Sequence, residues 1–316
     1  MAQLLARTAD RLYWGARYVE RAEDTSRIVR AYNDLVVDYP SAELLRWEPL
    51  TALTGSDTSI DVPATDPAGE ATVVRYLLAD RTNPSSIVST VGFARENLRT
   101  TREVMPREAW HAINQLSQYV EATASGAVER QLRDQFLGRV VQVSRRLDGI
   151  LESTMTRSNE FRLLRLGRLV ERADMTTRVV GVAAAGILEI EAANRDELIT
   201  DQVRWMSVLR SVSALQMYQR AVRGPIEGLS VVQFLLAYAA FPRSVQGCLD
   251  DIRSVLLALP RPGMVLTVLD EIEVSLQGSH PDAHAGLELD RAMEAMQAGI
   301  ARLDLAIRDR YVASVL

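Results

Sequence analysis

The sequence repeats itself. Residues 11–29, RLYWGARYVERAEDTSRIV, align without gaps on residues 162–180, RLLRLGRLVERADMTTRVV, at an offset of 151. Arg17 matches Arg168, Glu20 matches Glu171, Arg21 matches Arg172, Thr25 matches Thr176 and Arg27 matches Arg178, while Glu23 becomes Asp174 and keeps its charge. An ungapped repeat of this length requires both copies to be the same structural element. Leu12, Val19, Ala22, Ile28 and Val29 recur at helical spacing with charges between them, so that element is a long amphipathic helix. The expected architecture is an all-α multi-helix bundle. It is read as one domain, 1–316, made of two related halves at about 1–156 and 157–316.

The rest of the chain supports the class. Helical patterns are expected over 4–36, from 71 to 80, over 86–105, 107–123 and 128–155, and over 160–193. Further ones follow at 196–223, 229–238, 243–259, 262–277 and 285–315, separated by Gly224-Pro225, Phe241-Pro242, Pro260 to Pro262 and the 278–282 turn. Residues 38–69 carry Pro40, Pro49, Gly55, Pro63 and Pro67 and read as an irregular connection, long enough to be a flap or to hold a short helix. No alternating strand pattern stands out.

Helix spacing puts Arg17, Glu20 and Arg27 on one stripe and Arg168, Glu171 and Arg178 on its counterpart, with Arg21, Glu23, Arg172 and Asp174 beside them. Two uses fit carboxylates flanked by guanidiniums. The stripes can brace the seam between the long helices, since the planar fork of Arg bonds a carboxylate in bidentate fashion. Surplus Arg can instead receive an anionic ligand. Arg95, Asn97 and Arg99, with Arg102, form a second basic patch, and Arg243 is a further candidate. A carboxylate metal centre would need Glu-x-x-His pairs. The positions three after Glu20 and Glu171 are Glu23 and Asp174, and His111, His280 and His284 lie elsewhere, so no metal and no cofactor are expected.

Composition narrows the chemistry. All 36 basic side chains are Arg; without Lys there is no Schiff-base nucleophile, P-loop lysine or kinase-type ATP lysine. The formal charge of −5 gives no reason to expect nucleic acid as a partner. Cys248 sits in a helical setting and reads as core, as do Trp110, Trp205 and Tyr218. The charged start of the chain lacks a signal-peptide core, and no apolar run reaches bilayer length, so no membrane association and a cytoplasmic location are expected.

The N-terminal repeat copy, ARENLR, the central copy and FPRSVQGCL, in that order across nearly the whole chain, resemble the bacterial alpha-E family of all-helical proteins. That resemblance implies genetic association with circularly permuted ATP-grasp ligases, and with transglutaminase-like peptidases. It carries over the ERA-[ED]-x-T-x-R core at 20–27 and 171–178, with Arg95, Asn97 and Arg243, but no catalytic residue set. The expected function is a non-catalytic accessory subunit of an ATP-grasp amide- or peptide-bond-forming system, binding an anionic ligand or partner at the Arg/Glu stripes. One alternative is an enzyme using Glu20 and Glu171 as acid and base; another is a scaffold or dimerisation protein, with a second copy of the chain as its partner.

Overall fold

A computed structural model describes residues 6–38, 46–54, 62–63, 66, 69–193, 201–278 and 286–312. All regular structure among them is helical: α1 (Ala6–Asp38), α2 (Glu70–Leu78), α3 (Ile87–Arg99), α4 (Arg107–Thr123), α5 (Arg130–Thr154), α6 (Asn159–Ala193), α7 (Asp201–Ser211), α8 (Leu215–Ala221), α9 (Gly228–Ala237), α10 (Val245–Leu257), α11 (Gly263–Gly278) and α12 (Gly286–Tyr311). Three-residue-per-turn segments occupy Glu48–Thr54, Arg102–Val104 and Gly126–Val128. Most of the expected 38–69 connection, and His280 and His284, lie outside the described residues.

The two aligned segments, 11–29 and 162–180, lie in α1 and α6, whose mutual contact is the most extensive among the described residues. The two helices run side by side in the same direction. Gly167 lies against Tyr13, Arg17 and Arg21 meet Glu171, and Arg172 meets Glu20, so contacts advance together along both chains. Around α1, helices α3, α4 and α5 close a ring in which α1 touches α3, α3 touches α4, α4 touches α5 and α5 returns to α1. Helices α10, α11 and α12 close the same kind of ring around α6. Each side also reaches across: α7 packs on α1, and the Glu48–Thr54 turn packs on α6.

This arrangement buries α1 and α6 on almost every face. Leu12, Ala22 and Val29 are buried in α1, and Leu166, Val170 and Val180 in α6, but so are Glu20, Glu23, Asp24, Arg27, Glu171 and Asp174. Charges taken out of water cost several kcal/mol each unless paired, so the fold places a specific demand on its ion pairs.

Helix starts explain how α3 and α10 are set on the long helices. Each opens with a serine N-cap: Ser86 accepts from the Ser89 amide, and Ser244 accepts from the Gly247 amide. Both caps sit in a Pro-x-Ser sequence, Pro84-Ser85-Ser86 and Pro242-Arg243-Ser244.

Two expectations change. The single helix read over 196–223 is two helices, because Ser213 adopts φ 55, a left-handed conformation that ends α7 before α8 begins. Helix α3 ends at Arg99, where the Thr100 and Thr101 hydroxyls donate to the Asn97 carbonyl, so Arg102 falls on the following turn and the Arg95, Arg99 and Arg102 stripe is not continuous. Cys248, Trp205 and Tyr218 are fully buried, as expected.

Candidate functional site

The seam between α1 and α6 is closed by a reciprocal clamp. Arg21 forks onto Glu171, with Nε to Oε1 at 2.5 Å and Nη2 to Oε2 at 3.1 Å. Arg172 forks onto Glu20 with Nε to Oε1 at 2.7 Å and Nη2 to Oε2 at 3.0 Å. Each Glu-Arg pair therefore exchanges partners with the other copy. The Arg fork and the carboxylate match as two parallel charge-assisted bonds, the strongest pairing available to these side chains.

Secondary partners extend the pattern. Arg17 donates Nε to Glu171 at 2.7 Å and Nη1 to Asp304 at 2.6 Å, and Asp304 also accepts from the Tyr13 hydroxyl at 2.6 Å. Its counterpart Arg168 pairs with Asp148 and, at 3.4 Å, with Glu152. Asp148 and Asp304 occupy a second repeated triplet, Arg146-Leu147-Asp148 and Arg302-Leu303-Asp304. Within each copy Arg27 pairs with Glu23, and Arg178 donates to Asp174 at 2.8 Å, both one turn back.

Electrostatics follow. Burial pushes the Glu20 carboxyl up, but the guanidiniums of Arg172 and Arg243 outweigh it and hold the group at about 2. Burial acts likewise on Glu171, and Arg21 and Arg17 bring it to about 2. Both carboxylates are thus fixed as anions at neutral pH. Asp24 differs: burial drives it up to about 7 against the pull of Arg243, and Asp148 goes up to about 6 by burial despite Arg168. Burial also raises the Cys248 thiol to about 12, so it is no nucleophile.

The two ends of the clamp are not alike. At the Glu171 end, Arg21 also reaches the Ser85 hydroxyl at 3.4 Å. At the Glu20 end, the Pro-x-Ser position equivalent to Ser85 is Arg243, which contacts Glu20 at 3.0 Å and donates to Asp24 at 2.6 Å. Thr176 fixes this loop by donating to the Arg243 carbonyl at 2.9 Å. The repeat position matching Asp24 is Met175, and the residue matching Arg145 in the Arg-Leu-Asp triplets is Ala301. Charge therefore accumulates on one side.

Oxygens of Glu20, Glu23 and Asp148 come within 4.8 Å of one another. Arg172 and Arg243 already occupy Glu20, Arg27 occupies Glu23 and Arg168 occupies Asp148. A cation there would have to displace guanidiniums, so the donor set suits an ion-pair network better than a metal.

The remaining candidates lie apart. Arg95 donates to Asn114 at 2.8 Å and lies over the Trp110 ring, while Arg99 is exposed and pairs with Glu96. Asn97 sits near the point where α3 crosses Gly15 of α1.

A family described as "a predicted alpha-helical domain with a conserved ER motif" matches residues 4–312. The chain belongs to the Alpha-E family. Glu-Arg pairs stand at 20–21 and 171–172, in the clamp, and at 129–130. Similar relatives of this Alpha-E chain are an uncharacterised protein of Mycobacterium bovis and uncharacterised proteins of two Mycobacterium tuberculosis strains, each 21% identical over 333 aligned positions. The alignment covers 96% of the Alpha-E chain but 36% of each relative, so the chain spans about a third of their length. No solved structure matches it. Among the described residues no helix is long and apolar enough to cross a membrane.

Several residues at this Alpha-E site were not singled out from sequence: Asp24, Arg145, Asp148, Ser213 and Asp304. The repeated Arg-Leu-Asp and Pro-x-Ser sequences were a usable signal for Asp148, Asp304 and the Arg243 loop. Ser213 had none, because its position depends on where α7 stops.

Proposed function

We propose that this Alpha-E protein is a non-catalytic helical accessory subunit of an ATP-grasp amide- or peptide-bond-forming system, built as two related halves locked by the Glu-Arg clamp. The observation that carries the reading is that each clamp carboxylate is forked by an Arg of the opposite helix. A carboxylate held at about 2 has almost no protonated form at neutral pH and is a weak base. This counts against the acid–base enzyme alternative and favours bracing.

Two observations support a protein partner. In the mycobacterial relatives the matching region is joined to further polypeptide, since it is 36% of each chain. A ridge of Trp14, Tyr18 and Phe93, with successive ring centroids 5.5 and 5.3 Å apart, lies at the junction of α1 and α3 beneath Arg17, Arg21 and Arg308. Phe93 is 43% exposed. Aromatic and Arg side chains together are the composition of interface hot spots.

Co-purification with a circularly permuted ATP-grasp protein from the same genome tests the reading. Wild type is expected to hold the ligase and change its ATP turnover, and Phe93→Ala to weaken the complex about tenfold or more, as a hot-spot truncation does. The clamp is tested separately: Glu171→Gln should lower unfolding free energy by about 3 to 5 kcal/mol, because three bonds from Arg17 and Arg21 lose their anion. A variant that melts like wild type would remove the bracing role.

A further inference from the structure

Guanidiniums outside the two Arg21 and Arg172 forks gather at one place. Glu23 Oε1 is approached by three guanidiniums: Arg27 binds it, while Arg243 and Arg145 stop at 3.5 and 3.6 Å. Arg27 Nη1 donates to the Ser213 hydroxyl at 2.5 Å, and Arg145 Nη2 reaches the same oxygen at 3.4 Å. Two cations thus share a neutral oxygen at the point where an anionic one would be bonded more strongly. Arg27 has a 7% exposed side chain, and its Nε has no acceptor among the described residues. Arg145, by contrast, has a 56% exposed side chain and gives the group an opening to solvent.

We propose that Arg27, Arg145, Arg243 and the Ser213 hydroxyl form a binding site for a small oxyanion, the carboxylate or phosphate end-group of a ligand. The site deepens the accessory-subunit reading and rests on it only for treating the stripes as a binding surface. Three further observations support it. Arg145 is held below its ordinary value first by partial burial and then by the adjacent Arg27 and Arg243 guanidiniums, against the pull of Glu23. Ser213 adopts φ 55, a conformation that costs a non-glycine residue about 1 kcal/mol or more, and it brings the hydroxyl to both arginines. Finally, the departures from the repeat meet at this point. Arg145 and Arg243 stand where the other copy has Ala301 and Ser85, so the site occurs once, while the clamp occurs twice.

The test is titration calorimetry of the whole protein with inorganic phosphate and, separately, acetate, at low ionic strength and pH 7. Saturable one-to-one binding of either anion is expected, weakened about tenfold or more in Arg145→Ala and in Ser213→Gly, as loss of a charge-assisted bond implies. Glycine accepts φ 55 without strain, so Ser213→Gly keeps the fold while removing the hydroxyl. Arg81→Ala, an exposed Arg after α2 that pairs with Glu121, should bind like wild type. Phosphate binding alone assigns a phosphate-bearing ligand, and acetate binding assigns a carboxylate. Binding of neither anion, or binding that survives both variants, or an equal loss in Arg81→Ala, overturns the site. None of these outcomes touches the partner reading, which stands on co-purification, or the clamp, which stands on unfolding of Glu171→Gln.

Discussion

At Gly167 the carbonyl oxygen of Tyr13 would lie 2.2 Å from a Cβ, closer than any side chain tolerates. The glycine sets how near α1 and α6 approach, and with it whether the Arg21 and Arg172 forks reach across. Gly167→Ala should therefore destabilise by about 2 kcal/mol or more, through separation of packed helices. Gly149 on α5 has open space around its Cβ position, and Gly149→Ala should stabilise by about 0.5 to 1 kcal/mol through helix propensity. Chemical unfolding of the two variants in parallel checks the contrast; equal effects would mean that Gly167 sets nothing. At this scale the sequence displayed the clamp residues, because the repeat names Glu20, Arg21, Glu171 and Arg172. It did not display their pairing. Helix spacing placed both stripes in the seam without saying which Arg of one meets which Glu of the other; Glu20 pairs with Arg172 of the facing helix and also with Arg243, which lies on neither stripe.

Helices α3 and α10 are seated by their N-caps; the Ser86 hydroxyl donates within its own helix, to the Ser89 hydroxyl at 3.0 Å, whereas the Ser244 hydroxyl reaches outside its helix. Besides accepting from Gly247 at 2.9 Å, it is within bonding distance, as donor, of the Phe241 carbonyl at 2.9 Å and the Tyr238 carbonyl at 2.8 Å. It thereby ties the end of α9 to the start of α10, beside the Arg243 backbone. Ser86→Ala is expected to cost about 1 kcal/mol, and Ser244→Ala nearer 2 kcal/mol. Thermal unfolding followed by circular dichroism measures both, and an Ser86→Ala loss as large as that of Ser244→Ala would contradict the asymmetry. Most elements were readable from periodicity and from Pro and Gly punctuation. The exceptions were the breaks at Ser213 and after Arg99, made by a strained backbone and by threonine hydroxyls, neither of which interrupts a hydrophobic pattern.

Over the whole molecule, the buried carboxylates give stability an unusual pH dependence. Glu20 and Glu171 fall from an ordinary 4.5 to about 2 in the fold, so their contribution is present above pH 4.5 and is lost as pH drops toward 2. Asp24 and Asp148 rise from 3.8 to about 7 and about 6, so the folded protein keeps protons that the unfolded chain releases. Their contribution is largest below pH 3.8 and declines as pH rises to 6 or 7, by at most about 1.4 kcal/mol per pH unit for each group. Stability should peak near pH 4 to 5 and fall toward pH 7. In Asp24→Asn the fall between pH 5 and 7 should be shallower, as read by urea unfolding at each pH. An unchanged slope would exclude Asp24 as its source.

The sequence by itself determined the all-helical class, the two long central helices and the residues of the clamp, because hydrophobic period and an ungapped repeat are local properties of the chain. Tertiary structure decided which arginine serves which carboxylate, that Arg145 and Arg243 approach Glu23, and that Arg27 and Arg145 reach Ser213. Those contacts join α1, α5, the end of α7 and the start of α10, and their register depends on how closely two buried helices approach at a glycine rather than on any spacing within one helix.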